Sequence, residues 1–108
     1  MDKPAETCGF TTAIKAVEGK WKVDILCELA TAPRRFGRLR QAIPAISEKV
    51  LVQQLREMER DGLVNREAYP GLPAKVVYSL TERGAALNAA AVALCRWGQE
   101  TEACTSAV

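Results

Sequence analysis

Histidine is absent from the 108 residues, and with it go the usual general base and the commonest metal ligand. The four cysteines, Cys8, Cys27, Cys95 and Cys104, contain no C-x-x-C pair. Their scatter gives little weight to a four-thiolate zinc site, and in a reducing compartment the expectation is four free thiols. A Gly-rich cofactor loop is also missing, so the chain reads as a non-enzyme without metal or cofactor. No apolar run approaches the roughly 20 residues that span a bilayer. The opening stretch "MDKPAETCGF" has no apolar signal-peptide core, which makes the cytoplasm the expected setting and a membrane partner an unexpected one. Internal repeats and low-complexity stretches are lacking too.

What is present is ordinary globular composition. Apolar residues make up 48% and charged residues 26%, which argues against disorder, and the length suits one domain over residues 1–108. Its core is expected over about 8–100, with a tail at 101–108. The net charge of +2 is unevenly spread. Between Arg34 and Arg66 eight Lys/Arg face four Asp/Glu, whereas from Glu82 onward two cations face three anions. A basic middle beside a nearly neutral end hints at a polyanion approaching one part of the molecule.

Periodicity orders the elements. Phe10 to Val17 reads as a short helix, interrupted by Gly19. "KWKVDILCELA" (Lys20–Ala30) is a second, with Trp21, Ile25 and Leu29 on one face and Val23, Leu26 and Ala30 filling much of the rest, as in a helix packed on several sides. Pro33 in "TAPRRF" breaks the pattern. Phe36, Leu39, Ala42 and Ile43 mark a short third helix, and Pro44-Ala45-Ile46 a turn. Ser47 is a good N-cap for a fourth helix, with Ile46 placed to staple onto Leu51. Asp61-Gly62 ends it, glycine being free to go left-handed. Leu63–Tyr69 and Val76–Leu80 are β-prone runs joined by a loop holding Pro70, Gly71 and Pro73. Thr81 then caps an Ala-rich helix to about Glu100, with Leu87, Ala91 and Leu94 on its face.

A short helix, a three-residue turn, a longer capped helix and a hairpin make a winged helix-turn-helix. The fold class expected is thus α+β and mostly helical, with a two-stranded wing between flanking N- and C-terminal helices. In the fourth helix Leu51, Leu55 and Met58 share one face. Lys49, Gln53, Arg56 and Arg60 lie within about 40° of the opposite pole on a 100° wheel. Such a stripe taken alone is a solvated face. In the second helix of a helix-turn-helix it faces the major groove instead. Ser47, Lys49, Gln53, Gln54 and Arg56 are therefore the candidate contacts to double-stranded operator DNA, glutamine suiting adenine and arginine guanine. Arg60, near the helix end, reads as solvated. Arg38 on the third helix and Lys75 at the hairpin tip are candidates for backbone phosphates.

Four stretches, "EGKWKVDIL" (Glu18–Leu26), "APRRFGRLRQAIPAIS" (Ala32–Ser47), "KVLVQQLREMERDGLVNR" (Lys49–Arg66) and "YPGLPAKVVYSLTERG" (Tyr69–Gly84), together resemble the HxlR family of winged-helix transcriptional regulators, relatives of the MarR group. The likeness runs over about residues 8–100. It implies a bacterial or archaeal one-component regulator, a repressor by that analogy, that binds a palindromic operator as a homodimer joined through its first and last helices. The position of Val52 often carries Ser or Thr in that pattern; an apolar residue there removes one polar contact. An Ala-rich last helix with Leu87, Leu94 and Trp97 has more apolar surface than a small winged helix covers, which points to dimerisation independently.

Cys8 stands at the mouth of the first helix, where unpaired N–H groups, the helix dipole and nearby Lys3 and Lys15 favour a thiolate. Its place matches the N-terminal cysteine of HxlR-like redox regulators, and Cys104 matches a C-terminal cysteine that resolves the first across the dimer. The resemblance thus implies an oxidant or electrophile as effector, linking Cys8 to Cys104 of the partner subunit or capping Cys8 with a small thiol. The alternative for Cys8 is an inert thiol. Cys27 and Cys95 are expected as small buried hydrophobes, and Trp21 and Trp97 as core residues or as the lining of a small-ligand pocket. A winged helix that binds protein and no nucleic acid is the competing function.

Overall fold

The computed structural model describes residues 9–106, with side chains described for 9–101. Helices α1 (Gly9–Val17), α2 (Lys22–Thr31), α3 (Phe36–Ala42), α4 (Glu48–Arg60) and α5 (Glu82–Ser106) are joined by strands β1 (Arg34–Arg35), β2 (Val64–Tyr69) and β3 (Lys75–Leu80). The strands form one antiparallel sheet in the order β1-β3-β2. This is the expected winged helix-turn-helix, with one strand more than the sequence suggests. Two residues are too few to show periodicity. Arg34 and Arg35 become a strand only because the free edge of β3 offers partners, at Tyr78 and Val77.

The core is built by α2, α3, α4 and the root of the wing. Ile25, Leu26, Leu39, Leu51, Leu55 and Met58 are buried, and Ile43, Ile46, Leu63 and Val64 join them. Helix α4 is set at both ends by local chemistry. Ser47 accepts a hydrogen bond from the Val50 N–H at 3.1 Å, satisfying one of the four donors a helix start leaves unpaired. Ile46 and Leu51 lie together in the core as a staple across that start. At the other end the Leu63 N–H donates to the Met58 carbonyl (2.9 Å) and the Gly62 N–H to that of Glu59 (3.1 Å), with Gly62 at φ +78°. This paired closure turns the chain straight from α4 into β2.

Helix α5 is docked on that same corner. The Thr81 N–H donates to the Leu63 carbonyl at 3.1 Å, and its hydroxyl both donates to the Gly62 carbonyl (2.7 Å) and accepts from the Gly84 N–H (2.9 Å). Thr81 is thus the expected cap and also a clamp. Beyond Ala91, which is buried, α5 leaves the core: Leu94 and Trp97 are exposed. Placing Trp97 in the core is therefore corrected, because the helix outruns the layer it packs on. Trp21 does pack against the core, half-buried.

Burial of Cys27 and Cys95 is corrected as well, since both are exposed. On α2 the residues that face the core are Lys22, Ile25, Leu26 and Leu29, which leaves Cys27 and Ala30 outside. The Cys27 thiol is pushed up from its ordinary value, first by partial burial and then by Cys95, Asp24 and Glu28. Since the thiolate is the nucleophile, Cys27 is expected to alkylate with iodoacetamide at pH 8 several-fold more slowly than a cysteine in a short peptide. Neutralising its neighbours in D24N/E28Q should speed it, as followed by mass spectrometry of the Cys27 peptide. A rate at the peptide value in the parent protein would show that those carboxylates have no hold on the thiol.

No helix of the described residues is long and apolar enough to cross a membrane.

Candidate nucleic-acid interface

The face of α4 opposite its buried leucines is an open groove of about 720 Å³ lined by Lys49, Val52, Gln53, Arg56, Glu57 and Arg60, with Glu48 at its start. Lys49, Gln53 and Arg56 are exposed, and Val52 is half-buried beside them. The binary pattern explains the arrangement: with Leu51, Leu55 and Met58 held in the core, every residue near the opposite pole must face out. Gln54 lies elsewhere. It is half-buried, on the side of Leu51, and lines no part of this groove.

Helix α3 and the turn hold α4 in place. Arg40 of α3 reaches the Glu48 carboxylate at 3.4 Å, across the start of α4. Arg38 of α3 is exposed. Because the Ser47 oxygen is engaged by the Val50 N–H, what Ser47 offers outward is its hydroxyl hydrogen, next to the still unpaired N–H groups of the first turn.

On the other side of α4, Arg56 and Val52 share a second groove of about 430 Å³ with Glu59, Arg66 and Tyr78. Arg66 was not singled out from sequence. The signal was available: Val64 is buried, and two residues along a strand return to the same face, so Arg66 must look toward α4. At the wing tip Lys75 is exposed and pairs in register with Tyr69, its ammonium 5.4 Å from the ring centre. Tyr69 donates its phenolic O–H to Glu67 at 3.2 Å, and that bond to a carboxylate raises its ionisation above the ordinary phenol value.

Two acidic groups line the outward groove of α4, Glu48 at its start, beside Arg40, and Glu57 further along. Glu57 is tied to Lys22 of α2, Nζ to Oε1 at 2.7 Å. Its carboxyl is held below the ordinary range first by the hydrogen bond and charge of Lys22, with Gln53 and Arg60 adding to the effect. Lys22 is itself buried. A lysine in a sequence is read as exposed, and only packing α2 behind α4 reveals this pair.

A further apolar surface lies away from the grooves. Between α1 and α5 a cleft of about 420 Å³ is lined by Phe10, Ile14, Val17, Leu87, Leu94 and Trp97, of which Phe10 and Trp97 are about two-thirds exposed, at 63% and 65%. Of the two cysteines expected to act together, Cys8 lies outside the described residues. Cys104 falls within the span of α5, its side chain outside those described.

A family model for the HxlR-like helix-turn-helix matches residues 16–105. The HTH-type transcriptional regulator YkvN of Bacillus subtilis is 44% identical over 92 residues, covering 85% of this chain and 78% of its own. Among solved structures, a MarR-family transcriptional regulator of Enterococcus faecalis superposes with a TM-score of 0.85 at 37% identity, over 98% of this chain and all of that one. The redox regulator HypR in its reduced form gives a TM-score of 0.84 at 33% identity, over 94% of this chain and all of its own.

Proposed function

The chain belongs to the HxlR-like helix-turn-helix family and is a transcriptional regulator, and we propose that it works as a homodimer on a palindromic operator, acting as a repressor. One observation carries this reading: the outward groove of α4, where Lys49, Gln53 and Arg56 stand together on a helix anchored at both ends. In this reading the N-terminal half of α4 enters the major groove. Ser47 and the free N–H groups beside it take a phosphate, Lys49 acts as a point charge, and Gln53 and Arg56 reach adenine and guanine edges. Arg38 and Lys75, both exposed, and Arg66, which shares a groove with Arg56, take the DNA backbone in this reading. Gln54 is too close to the core face to join them.

The apolar cleft between α1 and α5 supports dimerisation through those two helices, since an exposed Phe10 and Trp97 over a cleft of this kind mark an interaction surface. Two such copies suit half-sites about 34 Å apart. Likeness to a redox regulator supports a thiol switch at Cys8. An azo oxidant such as diamide takes two hydrogens from Cys8 and Cys104 of the partner subunit and leaves a disulfide between the subunits, which moves the helices that space the two α4 copies.

Fluorescence anisotropy on DNA from upstream of the protein's own gene, at two salt concentrations and with reduced and diamide-treated protein, tests both parts. The expected result is tight binding when reduced, weakened steeply by salt and lost on oxidation. Binding that ignores diamide would remove the switch and leave the regulator. A folded dimer that binds no duplex in either state would favour the protein-interaction winged helix.

A further inference from the structure

A carboxylate on the DNA-facing side of α4 is at odds with the task. Glu57 lines the same groove as Lys49, Gln53 and Arg56, and a fixed negative charge there opposes the approach of phosphates. Its neutralising partner comes from behind the helix. Lys22, at the first residue of α2, is the one charged side chain in the core among the described residues, 8% exposed, and its ammonium sits 2.7 Å from the Glu57 carboxylate. A lysine at such a position costs desolvation that a well-packed apolar residue would not. Packing alone gives no reason to keep the cation.

The other cations near Glu57 are less suited to this role. Arg60 is nearly three-quarters exposed and lies 3.7 Å from Asp61, so water screens its charge. Lys49 and Arg56 line the groove itself, where DNA would engage them. Lys22 alone among these stays behind the helix when the groove is filled. Glu57 in turn lies one turn from Gln53, whose amide helps to hold the carboxyl below its ordinary range.

We infer that Lys22 is a positioning residue for DNA recognition: from behind α4 it holds and neutralises Glu57, so that this carboxylate does not repel the DNA. The inference rests on the DNA-binding reading above and adds to it a residue that never touches DNA.

The probe is a fluorescent 30-base-pair duplex of mixed sequence at low salt, titrated with the full-length parent, K22M, K22R, E57Q and K22M/E57Q, each first checked by circular dichroism. K22M, which leaves Glu57 bare, is expected to bind about tenfold more weakly than the parent, and K22R to stay close to it. In K22M/E57Q the affinity returns to within about twofold, because the unpaired negative charge is gone. A merely structural lysine would not be rescued this way, so a double variant as weak as K22M overturns the inference, as does a K22M that binds like the parent. If K22M fails to fold, E57Q decides: binding within about threefold of the parent agrees with the inference, and a loss beyond tenfold with the fold intact overturns it. A parent protein that binds no duplex overturns the DNA-binding reading itself, and that result is distinct from the others.

Discussion

Gly84→Ala is expected to be among the most damaging single-methyl changes in this chain. Gly84 is in the first turn of α5, and a Cβ there would stand 2.1 Å from the Leu63 carbonyl oxygen and 3.0 Å from its carbon. The obstacle is backbone, so no side chain can swing away. That same oxygen accepts the Thr81 N–H, and moving α5 out would break the clamp. Helix propensity alone argues the other way, since alanine is favoured over glycine by about 1 kcal/mol in a helix. Overpacking against a rigid neighbour costs about 1–3 kcal/mol or more, and here the added atom would overlap another outright. The net expectation is a loss of at least about 2 kcal/mol, which for a domain of this size lowers the melting temperature by roughly 10 °C or more. The same change at Gly98, also in α5, meets nothing within 4 Å and should be neutral or stabilising by about 0.5–1 kcal/mol. Thermal melts followed by circular dichroism compare the two; a G84A protein as stable as G98A would mean that α5 is not docked so closely.

The second large effect is on binding. Lys49→Glu with Arg56→Glu reverses two exposed charges of the α4 groove and is expected to weaken operator binding on the order of a thousandfold. Each good contact of this kind contributes about 1–3 kcal/mol, and in a dimer each is lost twice. Stability should move by no more than about 0.5 kcal/mol, because neither side chain takes part in the core. Anisotropy and a thermal melt on the same preparation separate the outcomes. A folded variant that still binds operator with the parent's affinity would remove α4 as the recognition helix.

The groove was readable from sequence for a specific reason. Leu51, Leu55 and Met58 repeat at helical spacing, Ser47 and Gly62 bracket them, and an amphipathic helix with one buried face has its other face determined. The hairpin was readable in the same way, from β-prone runs around a proline-rich loop. What escaped depended on residues distant in the chain. Lys22 looks like any helix-start lysine until Glu57 is placed against it. Gly84 looks like a weak spot in a helix until Leu63 is seen beneath it. Cys27, Cys95 and Trp97 were expected inside because their neighbours are apolar, but apolar neighbours along a helix do not say how far the packed layer extends.

By itself the sequence determined the helices and the two strands of the hairpin, where α4 starts and stops, and which of its faces is basic, because capping, turn chemistry and periodicity act within a few residues. Tertiary structure alone decided that Arg34–Arg35 joins the sheet, that Arg66 stands beside Arg56, that a buried lysine neutralises Glu57 and that α5 outruns its core. Each of these depends on two elements meeting in space, and pairing energies between distant segments leave no periodic trace in either one.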